Sequence, residues 1–306
     1  MIFLKKFLGV SVFTLLAFVQ ISLFSQSSYS AVPLHNSHSP LKGSDSGTIG
    51  PEFTSFHDEL RKLTTRYGAR AQLIQYGRSQ GGLPLMGIQI GGSRRRPSKL
   101  TPKAVVITAG VHGDEFLGIE DRLARWLVES AESDSDLRDF FEAGHRIYFF
   151  PVLNPDGYTK RYRVNANGVD LNRDFNLVNK NYFAFEEGET RSLVQWINTE
   201  LKNHPAELAL TLDYHCCIGA LLHPKATRQL ASDTAASRTH RVGTIFKSSF
   251  GKSYRFGTTP EVLGYDSLGT SKDYFTETFG ALGFTFEGKK IIEKNQFDEH
   301  YPFKAE

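Results

Sequence analysis

The sequence predicts a single-domain α/β protein with a mixed, mostly parallel, twisted sheet that carries helices on both faces. Short apolar runs rich in β-branched residues alternate with longer segments of helical periodicity, as in sheets joined by crossover helices. The run Lys103–Ala109 is almost continuously apolar, which is typical of a strand covered on both sides. The 306 residues show no internal repeat and no sign of a second domain.

The elements follow in order from apolar spacing and turn residues. A helix is expected to begin near Thr54, because large apolar side chains recur at helical spacing at Phe56, Leu60, Leu63 and Tyr67. The remaining predicted strands are Gln72–Tyr76, Leu83–Ile90, His145–Pro151, Glu207–Tyr214 and Gly283–Glu287. The remaining predicted helices are Glu115–Val128, Glu189–Asn203, Thr234–Phe250 and Ser271–Phe279.

The N-terminus has the pattern of an export signal. Lys5 and Lys6 precede a run without charged residues, and small residues follow up to Ser30. We therefore expect residues 1–30 to be a signal peptide, 31–51 a flexible leader and 52–306 one folded domain, secreted or periplasmic. An uncleaved anchor is the alternative, because an apolar run of this length can just span a bilayer. After cleavage, no stable membrane association is expected.

Charge and cysteine content narrow the remaining classes. A formal net charge of +3 is too small to indicate a nucleic-acid partner, and the basic run 94–96 lies beside glycine and proline, as in a solvated loop. The only cysteines are the neighbours Cys216 and Cys217, so no disulfide framework holds the fold. Stability must come from a hydrophobic core.

Three residues with metal-binding chemistry fall near predicted strand ends. His112 and Glu115 lie three positions apart after the strand Lys103–Ala109, so both can point at one ion. His215 ends a later strand, and ligands of such sheets bind at the carboxyl ends of strands. Two imidazoles and a carboxylate suit a catalytic zinc, which keeps a fourth position open for water. Each residue alone is more often structural.

A loop rich in turn residues adds anion-binding side chains. It runs from Asn154 to Phe175 and contains Arg163, Asn172 and Arg173. Arginine binds a carboxylate in bidentate fashion and can also stabilise a developing oxyanion. Either arginine alone would be read as a surface residue.

Taken together, these motifs resemble the zinc carboxypeptidase family, and most closely its small bacterial branch of murein tripeptide amidases. The similarity runs from about residue 54 to residue 290. Its motifs occur in the family's order: His-Gly-Asp-Glu at 112–115, Asn-Pro-Asp-Gly-Tyr at 154–158, Asn-Gly-Val-Asp-Leu-Asn-Arg at 167–173 and Phe-Thr-Phe-Glu at 284–287. Few residues follow Glu287, so the family's long C-terminal helix is expected to be shortened or absent.

The resemblance implies a role for each matching residue. One zinc per chain would be held by His112, Glu115 and His215. Glu287 would be the general base and acid, and Arg163 would stabilise the tetrahedral oxyanion. Residues 52–306 would then form the catalytic domain.

The resemblance also implies a substrate pocket. Asn172 and Arg173 would hold the terminal carboxylate of the substrate, and Tyr265 would close over the bound residue. Lys272 falls where the family places the base of the specificity pocket. The alternative is that Lys272 points to solvent, paired with Asp273 or Glu277.

Cys216 also leaves two interpretations open. The default is a buried small hydrophobe, as for Cys217. A fourth zinc ligand in an inactive form is the alternative.

Four functions are compatible with this set of residues. The first is a zinc metallopeptidase that cleaves cell-wall peptides, with a peptide or muropeptide as partner, at the γ-D-glutamyl–diaminopimelate bond. The second is a carboxypeptidase that removes acidic C-terminal residues from ordinary peptides. A deacylase of N-acyl amino acids comes third, because such enzymes lack the Pro-Asp-Gly-Tyr loop and an equivalent of Tyr265. A wall-binding module without activity comes last, because every catalytic position is filled.

Overall fold

One sheet of seven strands organises the described part of the chain. The computed structural model describes residues 50–92, 101–175, 184–227, 234–248 and 253–289, so the predicted signal peptide 1–30 and nearly all of the predicted leader lie outside it. The strands are β1 Ala71–Arg78, β2 Pro84–Gly91, β3 Lys103–Thr108, β4 Arg146–Phe150, β5 Glu207–His223, β6 Arg255–Thr258 and β7 Leu282–Lys289.

The sheet is mixed and mostly parallel, as predicted. Its order is β1-β2-β4-β3-β5-β6, and β7 also pairs with β5. The pairs β1–β2 and β2–β4 are antiparallel. The strand β3 lies parallel to both β4 and β5, and β5 lies parallel to β6 and β7. The carboxyl ends of β3, of the first part of β5 and of β7 therefore meet at one edge of the sheet.

Eight α-helices surround the sheet in the described ranges. They are α1 Phe53–Tyr67, α2 Ile119–Ser133, α3 Ser135–Glu142, α4 Pro155–Lys160, α5 Gly188–Asn203, α6 Thr234–Lys247, α7 Thr259–Leu263 and α8 Ser271–Phe279. No helix among the described residues is both long and apolar enough to cross a membrane.

Two boundaries predicted from sequence were wrong, and both lie beside the site. The helix expected from Glu115 begins at Ile119, after the left-handed residue Gly118 (φ 77°), because Glu115 belongs to the loop that follows β3. The strand expected to end at Tyr214 continues to His223. After Cys217, successive residues of β5 lie opposite progressively earlier residues of β7, so that Ala220 lies opposite Glu287.

Four short elements were not predicted: α3, α4, β6 and α7. All four are short, and three of them rely on polar caps. Asp134 caps α3, Asn154 caps α4, and Thr258 forms a capping box with Glu261 at α7.

The core has two layers because side chains of successive strand residues point to opposite faces. On one face, Val105 and Ile107 of β3 pack in the cluster that contains residues of α1, α2, α3 and α6. On the other face, Ala104 and Val106 pack in the cluster that contains residues of α5 and α8. The two clusters confirm the prediction of helices on both faces of the sheet. They also hold in place the strands that carry the site.

Candidate active site

His112, Glu115 and His215 form a group that can hold a metal ion. One ligand atom from each lies within 4.8 Å of the others. Nδ1 of His112 is 3.0 Å from Oε1 of Glu115, and Nδ1 of His215 is 3.1 Å from Oε2. The two Nδ1 atoms are 3.2 Å apart. Two imidazole nitrogens and a carboxylate that converge on one point are the donor set of a catalytic zinc site.

A close contact between two loops places the first two ligands. A Cβ atom added at Gly113 would lie 2.0 Å from the carbonyl carbon of Gly157, so only glycine lets the loop after β3 approach α4 this closely. The third ligand, His215, lies on β5 directly opposite Glu287 of the neighbouring strand β7. The ligands are thus held by backbone packing and by the sheet register.

Each histidine is oriented by a carboxylate on its far nitrogen. Nε2 of His112 is 3.0 Å from Oδ1 of Asp170, and Nε2 of His215 is 3.0 Å from Oδ2 of Asp213. In this arrangement both rings present Nδ1 to the common point, since the partner of one ring nitrogen sets the tautomer at the other.

Glu115 is the most heavily bonded of the three. It also accepts a hydrogen bond from the backbone N–H of Cys216 at 3.2 Å, and it lies 3.4 Å from the guanidinium of Arg163. Burial opposes its ionisation, but the imidazoles of His112 and His215 hold its pKa well below the usual range. The carboxylate is therefore in the charged form that binds a metal.

Glu287 is half-buried and lines the same cavity. Burial raises the pKa of its carboxyl to about 7, against an ordinary value of 4.5. A carboxyl with this pKa can both accept and return a proton near neutral pH.

The predicted anion-binding residues lie along the same cavity. Arg163 donates from Nε and Nη2 to Oδ2 of Asp170, at 3.1 and 2.8 Å. Nη1 of Arg173 donates to the backbone oxygen of Asn172 at 2.8 Å. The N–H of Ser271 donates to Oδ1 of Asn172 at 3.1 Å, which leaves the amide nitrogen of Asn172 on the side of His215.

Lys272 is buried, with only 2% of its surface exposed, so the alternative in which it points to solvent was wrong. Its Nζ lies 3.3 Å from the hydroxyl oxygen of Thr270 and 3.9 Å from Oδ1 of Asp273. Glu277, the other partner considered from sequence, pairs with Lys225. Burial lowers the pKa of Lys272. Tyr265, by contrast, is 48% exposed at the cavity wall.

One cavity of about 230 Å³ collects all nine residues singled out from the sequence. They are His112, Glu115, Arg163, Asn172, Arg173, His215, Tyr265, Lys272 and Glu287. Cys216 lines it too, but Cys216 and Cys217 are both half-exposed, so the expectation of two buried small hydrophobes was wrong.

Two orienting carboxylates, Asp170 and Asp213, were not predicted from the sequence. Asp170 lies inside the motif 167–173 and was available from it. Asp213 precedes His215 by two positions on one strand, so both side chains point to the same face. That spacing was the available signal.

Comparison with known proteins agrees with this geometry. The model of the zinc carboxypeptidase family matches residues 56–300. Carboxypeptidase SOL1 of Arabidopsis thaliana is 34% identical over 154 residues, which cover 46% of this chain and 30% of that protein. An inactive metallocarboxypeptidase, ECM14 of Ajellomyces dermatitidis, is 25% identical over 195 residues, which cover 54% and 33%. The chain thus spans about a third of the length of these relatives.

A solved structure shows the same fold. The crystal structure of carboxypeptidase A from Helicoverpa armigera superposes with a TM-score of 0.62 at 19% identity, covering 93% of this chain and 76% of that one. Because the family model extends over most of the sequence, from β1 through β7, the chain belongs to the zinc carboxypeptidase family.

Proposed function

We propose that the protein is a zinc-dependent hydrolase that releases a terminal residue carrying a free α-carboxylate and an acidic side chain. The observation that carries this proposal is the buried ammonium of Lys272 in the wall of the cavity that also holds the metal group. The family assignment supports the hydrolytic chemistry, and Lys272 supports the choice of residue.

The metal-binding group and Glu287 divide the chemistry. His112, Glu115 and His215 would hold a zinc ion, which would supply a Lewis acid and would lower the pKa of a water to about 7. Glu287 takes the proton of the attacking water and returns it to the leaving amine, for which its raised pKa is suited. Arg163, whose Nη1 lies beside Glu115, stabilises the negative charge that develops on the carbonyl oxygen.

The terminal carboxylate is assigned to Asn172 and Arg173. The amide orientation of Asn172, held by the N–H of Ser271, leaves its Nδ2 hydrogens as donors. Arg173 adds a guanidinium that can bind a carboxylate in bidentate fashion. Tyr265 stands exposed at the cavity wall, where it can cover the bound residue.

The side-chain preference follows from the incomplete pairing of Lys272. Its contacts with Thr270 and Asp273 are longer than the 2.7–2.9 Å of a charge-assisted hydrogen bond, at 3.3 and 3.9 Å. A buried ammonium whose carboxylate neighbour Asp273 lies at 3.9 Å has lost its hydration with little compensation. A carboxylate on the substrate side chain would supply a closer anionic partner.

Among such bonds, we place the γ-D-glutamyl–diaminopimelate bond of cell-wall peptides first. The resemblance of the sequence to the murein tripeptide amidase branch and the predicted export signal support this choice. The distal carboxylate of diaminopimelate would meet Lys272. An ordinary peptide with C-terminal glutamate offers the same charge and is the second candidate. A deacylase of N-acyl amino acids is third.

Four substrates assayed side by side test the proposal: a tripeptide ending in diaminopimelate, the same peptide ending in lysine, a C-terminal glutamyl peptide and an N-acyl amino acid. We expect kcat/KM for the diaminopimelate peptide to exceed that for the lysine peptide by about 10–100-fold, the value of one charge-assisted hydrogen bond. Equal cleavage of the two would contradict the assignment of Lys272.

Lys272→Met should lower the ratio of kcat/KM for the diaminopimelate peptide to kcat/KM for the lysine peptide, and it should leave the zinc content unchanged. Lys225→Met is the matched control. Lys225 is also a buried lysine, and it pairs with Glu277, which lies on α8 as Lys272 does, but it does not line the cavity. The control should keep the wild-type ratio. A narrowed ratio in both variants would mean that disturbance of α8 causes the effect, and not the charge at Lys272.

A further inference from the structure

Asp213 is a buried carboxylate that receives three hydrogen bonds. Its Oδ1 accepts from the hydroxyl of Thr108 at 2.7 Å, and its Oδ2 accepts from the hydroxyl of Ser271 at 2.6 Å and from Nε2 of His215 at 3.0 Å. Only 3% of the residue is exposed. Within the described residues, no lysine or arginine forms an ion pair with it, and its one ion-pair contact is the imidazole of His215.

The three donors come from three different elements, which fixes the carboxylate in place. Thr108 ends β3 and is the cross-strand partner of Asp213. Ser271 begins α8, and His215 follows Asp213 on β5. Each carboxylate oxygen of Asp213 therefore accepts a hydrogen bond from one hydroxyl group. This fixes the position of the oxygen that accepts from the imidazole of His215.

The consequence for His215 lies at its other nitrogen. With Nε2–H directed at Asp213, the lone pair of Nδ1 points toward Glu115 and Nδ1 of His112. A negatively charged acceptor on the far side of the ring also makes the imidazole a stronger donor to a metal. Asp170 does this for His112 but shares its charge with Arg163, whereas Asp213 has no such competitor among the described residues.

We propose that Asp213, supported by Thr108 and Ser271, is a positioning residue that sets the zinc affinity through His215. This inference rests on the zinc centre of the proposed function. It adds that the hydroxyl groups at the end of β3 and the start of α8 belong to the metal site, although they do not touch the metal position. A carboxylate that merely ties three elements together would affect stability without affecting zinc affinity.

Zinc affinity separates the two roles. Asp213→Asn keeps the size of the side chain, but its amide nitrogen cannot accept a hydrogen bond, so either Thr108 or the pair Ser271 and His215 loses its acceptor. We expect a loss of about 10–100-fold in zinc affinity, measured by competition with a chromophoric chelator. The absorption bands of the cobalt-substituted protein should also shift. Thr211→Val is the matched control.

Thr211 is well suited because it lies on the same strand and face as Asp213, is equally buried, and has a hydroxyl without a hydrogen-bond partner among the described residues. Its valine variant should bind zinc as the wild type does. The double variant Thr108→Val with Ser271→Ala removes the two supports and leaves the carboxylate. It should lose less affinity than Asp213→Asn, and it replaces that variant if Asp213→Asn fails to fold.

Wild-type zinc affinity in folded Asp213→Asn, or in the double variant where that one is unfolded, would overturn the inference. A loss no greater than that of Thr211→Val would do the same. The outcome is distinguishable from failure of the proposed function. A zinc-loaded wild type that cleaves none of the four substrates contradicts the function, while the affinities of the variants still decide the role of Asp213.

Discussion

Replacing Glu287 by glutamine is expected to lower turnover and to stabilise the metal-free protein at neutral and alkaline pH. Burial raises the pKa of Glu287 to about 7, from an ordinary value of 4.5. The folded protein therefore binds more protons than the unfolded chain between these values, and stability is lost as pH rises through this window. The difference of about 2.5 pH units corresponds to about 3 kcal/mol, an upper limit because the side chain is half-buried.

Urea denaturation of the metal-free wild type and of Glu287→Gln, at pH 5 and pH 8, measures this difference. At pH 5 the free energies of unfolding should agree within about 1 kcal/mol, because the buried carboxyl is still protonated. At pH 8 the variant should be more stable by up to about 3 kcal/mol. Equal or lower stability of the variant at pH 8 would show that burial does not raise the pKa of Glu287.

The same variant tests the chemistry. Zinc content should stay at one ion per chain, while turnover should fall by about 10²–10⁴-fold, since an amide cannot carry the proton. A loss smaller than about tenfold would point to another base. Higher stability together with lower activity is the behaviour expected of a residue kept in a costly environment for its function.

Three further predictions concern the metal, the arginines and the N-terminus. His215→Ala should lose zinc, as measured by metal analysis after dialysis, and full metal content would contradict the ligand assignment. Arg163→Ala should mainly lower kcat and Arg173→Ala should mainly raise KM in steady-state assays, and an exchange of the two effects would show that their roles are reversed. N-terminal sequencing should find the exported protein beginning near Ala31, and Met1 retained in a membrane fraction would replace cleavage with an anchor.

The layered fold and the members of the site were predictable because their signals are local. The apolar run at β3, the position of His112 after it and the apolar run that leads to His215 could be recognised directly in the sequence. The order of motifs then named the other cavity residues. All nine line one cavity, so the sequence identified which side chains to bring together without specifying the contacts between them.

What could not be predicted depends on long-range contacts. Glu115 was placed in a helix because His-x-x-Glu followed by apolar residues resembles a helix start, whereas its contacts with His112 and His215 hold it in a loop. The continuation of β5 past Tyr214 depends on pairing with β7, far away in sequence. The spacing of residues along α8 did not show whether the side chain of Lys272 faces the cavity or solvent. Asp213 was overlooked because it lies in a run predicted to be an ordinary buried strand.

Mass analysis of the products formed from the diaminopimelate tripeptide by the zinc-loaded protein tests directly whether the protein hydrolyses cell-wall peptides. One relative carries the name of an inactive metallocarboxypeptidase, so family membership alone does not establish turnover. We expect free diaminopimelate and the remaining dipeptide in equal amounts, with no product after chelation of zinc and recovery of cleavage when zinc is restored. Intact tripeptide after incubation with protein that holds one zinc per chain, alongside cleavage of the glutamyl peptide, would contradict the cell-wall assignment. Intact tripeptide, glutamyl peptide and N-acyl amino acid together would contradict the proposed activity itself.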